Sequence, residues 1–342
     1  MTDPSAAPGS LSPLAVTLGD PSGIGPEIIA KAWARRREER LPPFFAVGDM
    51  RSISQVSDVP VERILDPTEC VGVFDRALPC FHVEEGDTAA PGLPTLDGAR
   101  CAFHSLELAT GLVKAEGAAA LVTGPVSKAR LAEVGFTFPG QTEFVAERCG
   151  VARSNVVMML AGPSLRVVPI TIHIPLRDVP TVLTTELIRS RGVVTARGLH
   201  RNFGIARPRI AVAALNPHAG ESGHMGDEEE RIIAPAIAAL VEEGLDVTGP
   251  HPADALFTPR ARSGYDAVLC MYHDQALIPL KALDFDEGVN ITLGLPIVRT
   301  SPDHGTAFNI AGQDKADPRA MIAAIRMARD AEIRRRSTSS GA

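Results

Sequence analysis

The chain reads as an α/β protein, and three features predict it. Hydrophobic residues make up 45% of the chain while aromatics make up only 4%. Short runs rich in Ala, Val, Ile and Leu alternate with helical stretches, and several of those runs end in glycine-rich turns. Aliphatic strands with few aromatics suit a parallel sheet buried on both faces by helices better than an all-β sandwich. At 342 residues the chain is about twice the usual domain length, which predicts two domains or one large α/β unit split by a cleft.

Composition narrows the partners. A net charge of −7 and a pI near 5.8 argue against nucleic acid or an anionic membrane surface as the main partner. An anionic substrate must therefore meet local positive charge. Cys70, Cys80, Cys101, Cys149 and Cys270 are odd in number and show no CxxC spacing, so they read as ordinary thiols. The N-terminal sequence lacks the pattern of a signal peptide, and no apolar run reaches the ~18 residues of a membrane span. These features place the protein in the cytoplasm.

Taken in order, residues 1–13 and 334–342 are expected to be disordered tails, being polar or basic without periodicity. Leu14 to Leu18 predicts a buried strand, and Gly19 to Glu27 turns from it into a helix with Pro26 suited to the first helical position. Phe44 to Gly48 and Ala118 to Val122 predict further strands, and Cys101 to Glu116 a helix. Val167 to Ile172, Ile210 to Leu215 and Ala267 to Met271 predict three more strands. Each is followed within three residues by a histidine: His173, His218 and His273.

In open α/β sheets ligands sit beyond the carboxyl ends of strands, so these side chains tend to converge. One reading is three unrelated histidines satisfied by backbone hydrogen bonds. The other is a shared divalent cation acting as Lewis acid, with coordination positions left open. Asp254 and Asp274 are then candidates to orient a histidine or carry a proton. In the stretch Ala213 to Glu228, His218 stands just past the strand end as the candidate ligand, whereas His224 shapes the loop or lines the site.

Other segments admit two readings each. Gly19 to Glu27 lacks the GxGxxG spacing and is either a tight turn or an anion cradle at a helix N-terminus. Thr123 to Lys128 offers backbone donors or is a turn capped by Ser127. Lys281, Asn290 and Arg299 are either solvated surface or donors to a phosphate or carboxylate. Arg35, Arg36 and Arg37 form the wet face of the first helix. The loop Asp303 to Gly312 leads with Ala316, Asp317 and Pro318 into the last helix.

Together these segments resemble the 4-hydroxythreonine-4-phosphate dehydrogenase family of vitamin B6 biosynthesis. The motifs that carry the resemblance are VTLGDPSGIGPEI from Val16, VTGPVSKARL from Val122, FPGQTEF from Phe138, LNPHAGESGHMG from Leu215, GPHPADALF from Gly249, MYHDQ from Met271, GVNITLGLP from Gly288 and RTSPDHGTA from Arg299. They span nearly the whole folded chain.

The resemblance implies two α/β/α domains with a cleft between them, as in isocitrate and isopropylmalate dehydrogenases, and a homodimer with its active site at the subunit interface. The expected domains are 14–133 with 305–333, and 134–304. It implies a divalent metal (zinc, magnesium or cobalt) on His173, His218 and His273, the last from the partner subunit. It further implies substrate contacts from Gln141, Thr142, Lys281, Asn290 and Arg299, and an NAD or NADP loop containing His304, Gly305, Thr306 and Asn309. Two positions depart from the pattern. Asn309 stands where related enzymes carry the acid that favours NAD over NADP. Gln141 stands where the family reads histidine, keeping a donor but not a charge. That second departure keeps open a related substrate, threonate or erythronate phosphate. A metal-dependent hydrolase or lyase using the same histidines is the reading from another class.

Overall fold

The computed structural model describes residues 12–339. The chain forms two compact units, one running to Gly140 and resuming at Ile297–Arg329, the other comprising Gln141–Pro296 and the chain from Asp330. The strands are β1 (Leu14–Thr17), β2 (Phe44–Gly48), β3 (Val61–Ile64), β4 (Leu78–His82), β5 (Leu121–Thr123), β6 (Val157–Ala161), β7 (Arg166–Pro169), β8 (Arg209–Ala213), β9 (Asp246–His251), β10 (Ala267–Cys270), β11 (Val289–Leu293) and β12 (Arg299–Pro302).

In the first unit the strands lie in the order β3-β4-β2-β1-β5-β12, all parallel. β1 and β2 are buried at every residue, the pattern expected where helices cover both faces. The helix Gly25–Ala34 opens with Pro26 at its first turn, where a missing N–H is harmless. The helix Leu96–Lys114 starts earlier than its apolar periodicity suggested, because the Thr95 hydroxyl accepts the N–H of Gly98 and caps it.

In the second unit the order is β11-β6-β7-β10-β8-β9. β10 is parallel to both β7 and β8, and β9 is parallel to β8, whereas β6 runs antiparallel to β7 and to β11. The core under these strands includes Leu160, Val167, Ala213, Val268, Cys270, Leu277 and Leu280. β3, β4, β6, β9, β11 and β12 were not read from the sequence. β3, for example, is four residues long with Glu62 and Arg63 inside it, too short and too polar for a periodic signal.

Boundaries differ from the sequence reading: the first unit runs to Gly140 and not to residue 133. The return to the first unit begins at Ile297 and not at residue 305, because β12 pairs with β5 through Arg299 opposite Leu121 and Thr300 opposite Val122. Arg334 to Ser339 are not a disordered tail but the end of the helix Arg319–Ser339. The cause is Arg335, which is only 6% exposed. Its Nε donates to Asn202 Oδ1 at 2.7 Å, and its terminal nitrogens donate to the carbonyls of Pro296 and Leu295 at 2.8 and 3.3 Å. Residues 1–11 and 340–342 of the expected tails lie outside the described residues.

Replacing Arg335 with alanine strands an amide oxygen and two carbonyls in an apolar setting and removes a packed aliphatic stem. Arg335→Ala is expected to lower stability by about 2–4 kcal/mol, read from the urea midpoint. A loss under about 0.5 kcal/mol, the range of surface substitutions, would contradict this account.

Candidate functional site

The three strands that each precede a histidine are neighbours, in the order β7-β10-β8, and run parallel. Parallel pairing brings their carboxyl ends to one edge of the sheet, and side-chain hydrogen bonds then fasten those ends to one another. Thr171 Oγ1, past β7, donates to the carbonyl of Met271, past β10, at 2.8 Å. The N–H of Met271 donates to Gln275 Oε1 at 2.6 Å, and Gln275 Nε2 donates to the carbonyl of Ala214, past β8, at 2.7 Å. Thr171 and Gln275 are buried, so these polar groups have no ready alternative in water. Neither residue was singled out from the sequence, although Gln275 lies inside MYHDQ.

His173 and His273 are brought together, their ring centroids 5.8 Å apart. Both line one cavity of about 220 Å³, with Thr171, Leu176, Tyr272 and Asp274 also on its wall. His273 begins the helix His273–Asp284 and its Nδ1 lies 2.7 Å from Asp274 Oδ1. The Asp274 carboxylate can accept a hydrogen bond from Nδ1–H, which fixes the tautomer and leaves the Nε2 lone pair for a ligand. Asp274 is thus placed to orient His273. Asp254 stands elsewhere, exposed on the short helix Ala253–Leu256, which packs against the turn Pro217–Gly220.

His218 sits in that turn in a left-handed conformation (φ 52°), followed by Ala219, Glu221 and Ser222 with φ of 53°, 43° and 56°. His173 shares this geometry with φ 54°. Such conformations cost on the order of 1–3 kcal/mol each and persist where surrounding bonds dictate them, often at functional sites. For the His218 turn, bonds just before it come from Glu229, a residue the motif reading passed over, which accepts the N–H groups of Leu215 and Asn216. Among the described residues, no group of three or more His, Cys, Asp or Glu side chains is disposed to hold a metal ion. One chain therefore joins two of the three expected ligands in a cavity and delivers His218 past the adjacent strand.

The proposed substrate donors are placed as follows. Gln141 and Thr142 open the helix Gln141–Arg148, both half-buried. Asn290 lies in β11, and its Oδ1 is buried without a hydrogen-bond partner. Lys281 is exposed two turns beyond Asp274, and the spacing 274, 278, 281, 285 puts Asp274, Ile278, Lys281 and Phe285 on one face. Ile278 and Phe285 are 67% and 71% exposed there. Arg299, in the first unit, is buried at 3% and donates from Nη2 to Thr123 Oγ1 at 2.7 Å, so the solvated-surface reading does not hold for it.

Also in the first unit, Gly19 to Glu27 turns out to grip the loop that follows β12. Its N–H groups are used within the protein: Ser22 on Asp20 Oδ1, Gly23 on the Asp20 carbonyl and Ile24 on the Thr306 carbonyl. That leaves the segment a poor anion cradle. Glu27, 1% exposed, accepts the N–H groups of Gly312 and Ala316 at 3.2 and 2.9 Å. Lys31 Nζ reaches Glu27 Oε1, the carbonyls of Asp314 and Ala316, and the Asp314 carboxylate, all within 3.1 Å. Burial alone lowers the Lys31 pKa, but the bonds to Asp314 and Glu27 outweigh it and raise the value. The loop so held exposes His304, Gly305 and Asn309, with Thr306 half-buried. Thr123 to Lys128 is a turn: the Gly124 N–H returns to the Thr17 carbonyl and Ser127 caps the helix Lys128–Glu133.

The comparisons with known proteins agree with one another. Residues 41–328 match the family model described as "Pyridoxal phosphate biosynthetic protein PdxA". A relative from Zymomonas mobilis named 4-hydroxythreonine-4-phosphate dehydrogenase is 60% identical over 318 residues, covering 93% of this chain and 95% of its own. One of the same name from Erythrobacter litoralis is 56% identical, covering 94% and 97%. The crystal structure of the Klebsiella pneumoniae protein of that name superposes with a TM-score of 0.85 at 39% identity, covering 94% of this chain and 99% of that one.

If Glu27 is what fixes the loop, Glu27→Ala should raise amide hydrogen exchange at Gly312 and Ala316 by at least about tenfold while the amides of β1 stay protected. Unchanged exchange at both amides would rule out that role.

Proposed function

The chain belongs to the pyridoxal phosphate biosynthetic protein PdxA family, and we propose that it oxidises 4-phosphooxy-L-threonine at C3 with NAD or NADP, using a divalent metal. The oxidised product then loses its carboxylate to give 3-amino-2-oxopropyl phosphate, in the route to pyridoxal 5'-phosphate. The observation that carries this reading is near-full-length identity to relatives named for that dehydrogenase. Its geometric support is the delivery of His173, His218 and His273 past the carboxyl ends of three adjacent parallel strands.

The donor chemistry suits a divalent ion: imidazole nitrogens with one ring held by a carboxylate through its other nitrogen. His173, His218 and His273 would hold it, with His273 given by a second copy of the chain. The exposed apolar side chains Ile278 and Phe285 on the helix that starts at His273, and Leu176 at 65% exposure on the cavity wall, are the kind of surface a second copy covers. When bound, the ion supplies Lewis acidity toward the C3 hydroxyl and the carbonyl formed from it.

The chain's own residues do the rest. Asp274 holds the His273 ring in one tautomer, and it or Asp254 would take up the hydroxyl proton, while a bound nicotinamide would supply the hydride acceptor. Lys281, Arg299 and Gln141 with Thr142 offer donors to the phosphate and carboxylate. Asn290 Oδ1, buried and unpartnered, is suited to accept from the substrate's ammonium. His304, Gly305, Thr306 and Asn309 present the cofactor loop, held in place from beneath by Glu27. Asn309 offers no carboxylate to a ribose 2'-hydroxyl, so NADP is not disfavoured by charge at that position.

Gln141 supports a second reading in which the substrate is a related phosphorylated hydroxy acid, since an amide cannot meet a phosphate as a cation. Two measurements follow, both reading reduced nicotinamide by its absorbance. Replacing His173, His218 and His273 together with alanine should lower kcat/KM for 4-phosphooxy-threonine by about 10³-fold or more. Full activity in a folded triple variant sinks the proposal. Gln141→His, assayed against threonine, threonate and erythronate phosphates, should lower KM for the preferred substrate about 3- to 10-fold, from one added charge-assisted contact. An unchanged ranking and unchanged KM would remove position 141 from substrate choice.

A further inference from the structure

Glu229 is a buried carboxylate that the proposed chemistry does not use. It is 3% exposed and stands at the start of the single-turn π-helix Glu229–Ile233, eleven positions after His218. Among the described residues no Lys, Arg or His forms a salt bridge with it, and its partners are neutral donors of the His218 loop. Oε1 accepts the N–H groups of Leu215 and Asn216, both at 2.8 Å, and Oε2 accepts Asn216 Nδ2 at 2.9 Å. A second carboxylate, Glu228, takes the same amide at 2.7 Å. The far side of the loop is fitted to the same group. A Cβ on Gly220 would fall 2.7 Å from Glu229 Oε2, and one on Gly226 would fall 2.4 Å from Asn216 Nδ2.

A buried carboxyl group must be compensated by directed hydrogen-bond partners. Here the donors are the two amides where the chain leaves β8 and the side chain two residues before His218. The carboxylate therefore fixes the path of the chain at Leu215 and Asn216, just before it turns left-handed at His218, a turn the residues themselves disfavour. The π-turn is what aims Glu229 inward: it widens the helix by one residue, and such bulges recur beside functional sites. We propose that Glu229 is a positioning residue for His218, setting the orientation in which that imidazole meets a cation. This inference rests on the reading of His218 as a metal ligand.

The experiment uses full-length protein and cobalt(II) alone as probe, with affinity read from the visible absorption of the bound ion and unfolding followed in parallel. His218→Ala tests the underlying reading and should weaken cobalt binding at least 100-fold. Glu229→Gln keeps the shape and one acceptor oxygen but opposes its amide to that of Asn216. It should weaken binding about tenfold in protein still fully folded at the assay temperature, within the range usual for groups that orient a ligand. Gly220→Ala, which presses on the carboxylate without touching a histidine, should move affinity the same way. In the dehydrogenase assay, the metal concentration for half-maximal rate should rise in Glu229→Gln, with kcat at saturating metal falling less than threefold. If His218→Ala loses cobalt while Glu229→Gln and Gly220→Ala bind it as the parent does, Glu229 serves the fold alone and the proposal is overturned. If His218→Ala binds cobalt normally, it is the metal reading that fails.

Discussion

The arrangement of this site depends on one lateral chain of hydrogen bonds: Thr171 to Met271, Met271 to Gln275, Gln275 to Ala214. The strands end at Pro169, Cys270 and Ala213, and between β7 and β10 backbone bonds run on only from Ile170 to the Cys270 carbonyl at 2.7 Å and from Thr171 to the Met271 carbonyl at 3.3 Å. Side-chain bonds take over where the backbone ladder ends. Because the groups are buried, each link is enforced by the penalty of leaving a polar atom unsatisfied. The histidines inherit that order: two share a cavity, and the third leaves from the neighbouring strand end.

Much of this was legible in the sequence. Continuous apolar runs announced β1, β2, β5, β7, β8 and β10 because strands buried on both faces have no polar alternation to confuse the reading. The coincidence of three histidines past three such runs pointed to one edge of a sheet. What could not be read was the strand order β7-β10-β8, which is a tertiary fact with no local signature. Glu229, Gln275 and Glu27 escaped for the same reason: an acid or amide in a helix looks like solvated surface until the fold places backbone N–H groups against it. The helical end at Arg335 looked like a basic tail because its partners, Asn202 and the carbonyls at 295 and 296, lie far away in sequence.

The two units solve the same problem in similar ways. In each, a buried glutamate organises a loop by accepting its amides: Glu27, paired with Lys31, for the segment after β12, and Glu229 for the segment after β8. A carboxylate has several acceptor positions and can gather N–H groups that are remote in sequence, which an amide or hydroxyl does less well. Flexible, glycine-rich segments thereby acquire defined shapes without regular secondary structure. The left-handed turn at His218 is tolerable on the same terms.

The discontinuity of the units bears on biosynthesis. As the chain leaves the ribosome, β1 to β5 emerge first, yet β12, their sixth neighbour, follows only after every strand of the second unit. The second unit in turn waits for Arg335, the last anchor to emerge. The first unit cannot close its sheet until β12 has been made, nor the second bury its polar groups until Arg335 has, so the nascent chain carries an open edge at β5 throughout synthesis of the second unit's strands.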